Sequence, residues 1–179
     1  MKPMIFKFIL ILGVVLPASL ASSRAFADVK APEWEITEWM NSEPLSLEGL
    51  RGKVVVVEFF QLWCPGCNAF SIPLMLEWEK KYRGNDQVQL VSIHTVFEGH
   101  AYQTVKRLKN FIREKGIRHP VGVDKHQPGS DVPVTMQRYR TRGTPEMAII
   151  DKKGNIRFRR FGSFDPREAE NLIARLVQE

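Results

Sequence analysis

The sequence predicts an α/β domain with a mixed central sheet and helices on both faces. Three observations carry this. The run Val54–Phe60 is apolar and β-branched or aromatic except at Glu58, the pattern of a central strand covered on both sides. Strand-like and helix-like periods then alternate along the chain. Finally, Met147–Ile150 and Ile156–Phe161 read as strands joined by the turn Asp151–Asn155, so the sheet ends in an antiparallel hairpin rather than a further parallel crossover.

Residues 1–27 read as a secretory leader. Lys2 and Lys7 form a positive start, Phe8–Leu16 is apolar, and Ala25-Phe26-Ala27 is a small-x-small cleavage site. The apolar run is much shorter than the roughly 20 residues a spanning helix needs, so cleavage is expected over retention as a membrane anchor. The domain is then 28–179, in an exported, periplasmic and oxidising compartment where a disulfide persists. Hydrophobic residues are 44% of the chain, enough for a core, and the formal net charge is +6. Lys2, Lys7 and Arg24 lie in the acid-free leader, which accounts for half of that excess. No basic stripe is interleaved with aromatics, so no nucleic-acid partner is expected.

The body follows in order. Asp28–Leu50, with Trp34 and Trp39, reads as an N-terminal extension, a hairpin packing its tryptophans on the domain. Gly49 and Arg51-Gly52-Lys53 turn the chain into the strand Val54–Phe60. Alternation places Glu58 on the same face as Val54, Val56 and Phe60, where burial raises a carboxyl's pKa unless the strand end reaches water. Cys67, Phe70, Leu74 and Trp78 share a helical face, and Pro73 should kink that helix. Val88–His94 is the next strand. Thr104–Lys115 is an amphipathic helix ended by Gly116. A short strand at Pro120–Asp124 and a short helix in Val132–Tyr139 follow. In the last helix, Asp165 caps, Pro166 takes the first turn and Glu168 stands where a capping box needs it.

The candidate chemistry lies at Trp63-Cys64-Pro65-Gly66-Cys67, which holds the only two cysteines. Their spacing suits a disulfide across one helical turn. Cys64 falls at the helix N-terminus, where free N–H groups and the dipole stabilise a thiolate. It is therefore expected to be the exposed nucleophile, and Cys67 the buried resolving thiol.

The segment Phe59–Cys67 after a strand, with Gly143-Thr144-Pro145 before a hairpin, resembles the thioredoxin superfamily, and more closely its exported TlpA/ResA-like thiol-disulfide oxidoreductases. The likeness runs from about Leu45 to the C-terminus and includes an inserted helix at Thr104–Lys115. It implies a thioredoxin-like fold and a redox-active Cys64–Cys67 disulfide with no other cofactor. It also implies a cis-Pro145 facing the disulfide, Thr144 and Pro145 pairing with a substrate strand, Trp63 packing beside the cysteines, and Glu58 moving the proton of the resolving thiol. The sequence departs from the family pattern in three places. Pro65-Gly66 replaces the more usual dipeptides, Phe70 stands where several relatives carry Glu, and Pro73 falls one residue later than the usual kink proline.

The partners implied are protein disulfides or dithiols and a membrane electron donor of the thiol-carrier type, with the chain a monomer. An isomerase is less favoured, since no separate dimerisation segment is evident. The alternative from another class is a Cu(I)-binding module using the same thiols. No metal site is expected otherwise, because His94, His100, His119 and His126 are scattered. A peroxidase would want Thr and Pro ahead of its cysteine, and Gln61-Leu62-Trp63 offers neither. Arg142, upstream of Thr144, either adds positive potential near Cys64 or belongs to a solvated loop. His94 reads as a hydrogen-bonded strand-end residue.

Overall fold

The computed structural model describes residues 29–179, so the leader expected over 1–27 lies outside the described residues. Six strands form one mixed sheet: β1 Ile36–Met40, β2 Val54–Phe60, β3 Val88–His94, β4 Val121–Asp124, β5 Glu146–Ile150 and β6 Ile156–Phe161. The spatial order is β1-β4-β3-β2-β5-β6. β2 runs parallel to β3, and β3 to β4, while β5, β6 and β1 are antiparallel additions. Four helices cover the sheet: α1 Ile72–Lys81, α2 Val105–Lys115, α3 Val134–Tyr139 and α4 Pro166–Gln178.

Strand alternation sorts the core into two layers. Val54 and Val56 meet Leu74, Met75 and Trp78 of α1 and Ala169, Ile173 and Leu176 of α4. Val55, Val57 and Phe59 face the other way, onto Tyr139 of α3 and Trp34, Leu47 and Leu50. A third cluster lies at the C-terminal end of β2. There Phe60, Leu62, both cysteines and Ile72 pack on Leu108 and Ile112 of α2. The inserted helix is therefore the floor under one side of the cysteine loop.

The N-terminal extension is not a hairpin. β1 crosses to the far edge and pairs with β4, Trp39 opposite Gly122. The returning segment is a turn instead. The Glu33 carboxylate accepts the Leu47 N–H at 2.7 Å, and Trp34 Nε1 donates to Leu45 O at 2.7 Å. Trp34 is thereby buried, its ring edge-on to Trp39.

The helix after the cysteines also departs from a simple kink. Helical backbone starts at Pro65, but Cys67–Ser71 forms a π-helical turn in which Ile72 N–H bonds Cys67 O, five residues back. A π turn takes up one extra residue relative to an α turn. Pro73 then takes the second position of α1, directly after the π turn, and having no N–H it cannot continue the five-residue bonding. The extra residue accounts physically for a kink proline one position late.

At the other helix ends, Gly116 closes α2 in the left-handed region, with φ of 70°. The capping box of α4 is only half formed. Asp165 accepts from Arg167 N–H, but Glu168 turns to Arg160 instead. The start of β6 is covered, because Ile156 N–H bonds Val29 O at 2.8 Å and Lys30 bridges Asn155; beyond it no strand among the described residues pairs with β6, which carries Arg157, Arg159 and Arg160.

Candidate active site

β2 delivers the chain into the loop Gln61–Trp63, and side chains hold that loop. Gln103, in the turn before α2, accepts the Leu62 N–H at 2.8 Å and also meets His94 Nε2 at 3.2 Å. Burial drives the His94 pKa down to about 4, so the ring is neutral near pH 7 and donates to Gln103. Asn68 donates to the carbonyls of Leu62 (2.9 Å) and Cys64 (3.0 Å). The Asn68 N–H also bonds Cys64 O at 3.1 Å, which makes Cys64 the residue capping the helix.

Cys64 Sγ accepts the Cys67 N–H at 3.1 Å, the contact expected of a sulfur at a helix N-terminus. Both cysteines are free thiols. The expectation of an exposed Cys64 needs correction: it is only 7% exposed, because Leu62, Ile72 and the α2 floor surround it. It is reached through a cleft of about 440 Å³ whose walls include Trp63, Pro65, Phe97, Thr144 and Phe161. Cys67 lies behind it and is fully buried. Burial first, then the adjoining Cys64 sulfur and the Glu58 carboxylate, push the Cys67 thiol far above the ordinary range.

The Thr144–Pro145 peptide is cis. Thr144 lines the cleft, and the Pro145 ring lies against the cysteine turn. A Cβ on Gly66 would come within 2.9 Å of Pro145 Cδ. The departure to Pro65-Gly66 is therefore matched by a close approach that only glycine permits without a shift.

Trp63 lines the same cleft, but its ring turns outward. It is 45% exposed, stacks on Tyr102 at 5.7 Å and 14°, and covers Gly99. Arg107 of α2 lies 4.0 Å over the Tyr102 ring. The outcome is an aromatic and cationic rim beside Cys64. Phe70, where relatives carry an acid, packs edge-on to Phe164 and leaves the site. Arg142 stacks 5.2 Å from Phe161, on the cleft wall.

Glu58 is 1% exposed, on the face of β2 beneath the π turn. Burial raises its pKa from 4.5 to about 6, tempered by the hydroxyls of Ser71 and Ser92. Ser92 Oγ donates to Glu58 Oε2 at 2.6 Å. Ser71 stands near, yet neither its Oγ nor Glu58 Oε1 has a well-formed hydrogen bond.

All six residues singled out in the sequence, Cys64, Cys67, Glu58, Trp63, Thr144 and Pro145, thus converge at one end of β2. Sequence reasoning missed Gln103, Asn68, Ser92 and Gly66 in its positioning role. The first three come from separate elements or act through backbone, and carry no motif. Among the described residues, no three His, Cys, Asp or Glu side chains gather as a metal site, and no helix is long and apolar enough to cross a membrane.

A model of the AhpC/TSA family matches residues 27–159. Over 168 residues, 90% of this chain, the sequence is 29% identical to Protein DipZ of Mycobacterium tuberculosis, but it spans only 22% of that protein's length. It is 25% identical over 148 residues to the thiol-disulfide oxidoreductase ResA of Bacillus anthracis, covering 83% of this chain and 77% of the relative. Among solved structures, a thioredoxin-like superfamily protein is 44% identical with a TM-score of 0.79, covering 84% of this chain and 97% of that one. A thiol-disulfide isomerase from Corynebacterium glutamicum is also 44% identical, with a TM-score of 0.77, covering 83% of this chain and 97% of the other.

Proposed function

The chain belongs to the AhpC/TSA family and is a TlpA/ResA-like thiol-disulfide oxidoreductase of thioredoxin-like fold, and on that premise we propose that it reduces specific protein disulfides outside the cytoplasm. One observation supports this best. Cys64 heads a helix inside a cleft shared with Thr144, while Cys67 lies fully buried behind it with Glu58 beneath.

In the proposed cycle the Cys64 thiolate attacks a client disulfide, forming a Cys64–client bond and releasing the client's other sulfur as a thiolate. Cys67 then passes its proton to Glu58 and attacks Cys64 Sγ. The Cys64–Cys67 disulfide forms and the second client sulfur departs with the electron pair. A thiol held as far up as Cys67 needs a neighbouring base, and a carboxyl with a pKa near 6 is ionised enough at neutral pH to serve. The backbone of Thr144 and Pro145 pairs with the client strand, and Trp63 offers it an aromatic contact. No cofactor beyond the cysteine pair takes part.

The expected leader over residues 1–27 supports export, to the periplasm. In the proposed setting a membrane thiol carrier restores the dithiol, the chain acts as a monomer, and the clients belong to cytochrome c or copper-centre maturation. The 44% identical isomerase supports a second reading, in which the same thiols shuffle disulfides. Refolding of scrambled ribonuclease separates the two, because only a shuffling enzyme restores its activity without added reductant.

Trapping tests the main reading. A Cys67→Ser protein should accumulate mixed disulfides through Cys64 in its own compartment, seen as dithiothreitol-sensitive adducts, and Cys64→Ser should capture none. A Cys67→Ser protein whose Cys64 alkylates readily yet captures nothing would sink it.

A further inference from the structure

Behind Glu58 the buried polar chain continues. Ser92 Oγ, 2.6 Å from Glu58 Oε2, is also 2.8 Å from His119 Nε2. His119 Nδ1 is 2.9 Å from Glu79 Oε2. The four residues come from β2, β3, the loop before β4, and α1. Ser92 and His119 are buried, and Glu79 reaches the surface. Glu79 and His119 line a second cleft of about 240 Å³, which shares no residue with the Cys64 cleft.

Counting hydrogens makes this chain more than packing. Three short contacts need three hydrogens between the heavy atoms. The Ser92 hydroxyl supplies one and a neutral imidazole a second. The third is an extra proton held by the group. Two arrangements satisfy every contact. In one, protonated Glu58 donates to Ser92, Ser92 to Nε2, and Nδ1–H to Glu79. In the other, Glu58 is ionised and accepts from Ser92, Nε2–H donates to Ser92, and a cationic His119 donates Nδ1–H to Glu79. A shift of two protons along the chain interconverts them. Burial pulls the His119 pKa below its ordinary value, so the cationic form is the minor, transient one, and Glu79 is the group that works against that burial. Its Oε2 also accepts the N–H groups of Arg118 and His119 at 2.9 and 3.1 Å, which hold it as an anion.

We propose that Ser92, His119 and Glu79 are a proton relay that carries the Cys67 proton from Glu58 to the rear cleft, away from the face the client occupies. This deepens the thiol-exchange reading and rests on it. The shift to the second arrangement leaves Glu58 ionised, and its unpartnered Oε1 takes the proton of Cys67. The imidazolium then loses its Nδ1 proton through Glu79 to water. One proton enters at Cys67 and one leaves at the rear, while the electron pair of the Cys67 thiolate forms the Cys64–Cys67 bond and the client sulfur leaves as thiolate. The oxidised chain runs the same path backwards on reduction. A docked client closes the Cys64 cleft to water, so a separate exit lets Cys67 ionise while the mixed disulfide is still covered. The other titratable groups at that exit are Tyr82, Arg83 and Arg118, two of them cationic, which favour release over retention of the proton.

Stopped-flow reaction of the reduced protein with dithio-bis-nitrobenzoate tests this. The first release of coloured thiolate reports Cys64, the second reports resolution by Cys67. Ser92→Ala should slow the second phase relative to the first by about tenfold or more, the low end of a general-base effect. Ser92→Thr, which keeps the hydroxyl, should recover it, and Glu79→Gln should move the pH profile of the second phase. If Glu58→Gln slows resolution while Ser92→Ala leaves its rate and pH profile unchanged, the relay is overturned and thiol exchange stands. If the wild-type protein shows no second release, the functional reading itself fails. A measurement independent of any Ser92 variant is the imidazole ¹⁵N spectrum. Glu58→Gln removes the carboxyl that trades a proton with His119, so the pH dependence of the His119 Nδ1 and Nε2 shifts should change. Imidazole shifts that ignore this substitution also overturn the relay.

Discussion

Glu58 is a carboxyl that folding penalises. Its pKa rises from 4.5 to about 6 because burial opposes its charge. The native state therefore binds the proton more tightly than the unfolded chain. The stabilisation this gives is fully present below pH 4.5, is lost as the pH climbs through about 6, and is gone above that. The shift corresponds to roughly 2 kcal/mol. Urea melts of Glu58→Gln and wild type should show their stability difference moving by about that amount in favour of the variant between pH 4 and pH 7.5. A difference that does not vary with pH would mean Glu58 titrates alike in both states. The residue was legible in the sequence because it interrupts an apolar strand six residues before a cysteine. Its partners were not. Ser92 faces it only because β2 and β3 pair in a register that sets Glu58 opposite Ser92, and His119 arrives from a loop with no periodicity to read. Likewise, Cys64 reads as a helix-capping thiol from sequence, but its 7% exposure comes from the α2 floor and the cleft walls.

At the scale of elements, the cysteine loop is only as fixed as its links to its neighbours. Gln103 is the main link, joining the loop after β2 to the end of β3 and the start of α2. Gln103→Leu keeps the apolar bulk and leaves the buried Leu62 N–H without an acceptor. It should cost about 1–3 kcal/mol in a urea melt and speed Cys64 alkylation. Wild-type stability in this variant would show that the loop is held by packing alone. Elements with strong periodicity are legible in the sequence, as with α2, the body of α4 and the β5–β6 hairpin. The failures share a cause. β1 has five residues whose partner, β4, lies some 80 positions on, so local patterns could not say that it crosses the sheet. The π turn left one trace, a proline a residue late. The capping box of α4 had the right residues, but Arg160 of β6 drew Glu168 away.

The whole molecule is a sheet with two ends and two edges. At the C-terminal end of β2 lie the thiols, and the two clefts open from different linings. Of the edges, β1 is short, and β6, covered by Val29 at its start, has no further strand partner among the described residues but carries Arg157, Arg159 and Arg160. Arg157 pairs with Asp151 and Glu179, Arg159 with Glu146, and Arg160 with Glu168, so each arginine is anchored while its charge stays at the rim. A second chain seeking to extend the sheet would have to bring its own backbone up against fixed cations. The arginine rim thus works as colloidal protection. For a molecule whose proposed work is to meet extended client strands, it steers such a strand away from the β6 edge and toward the cleft. Replacing Arg157 and Arg160 together by Thr should raise concentration-dependent light scattering while the thiol-exchange rate per folded molecule stays the same. Unchanged scattering would leave solubility to the rest of the surface.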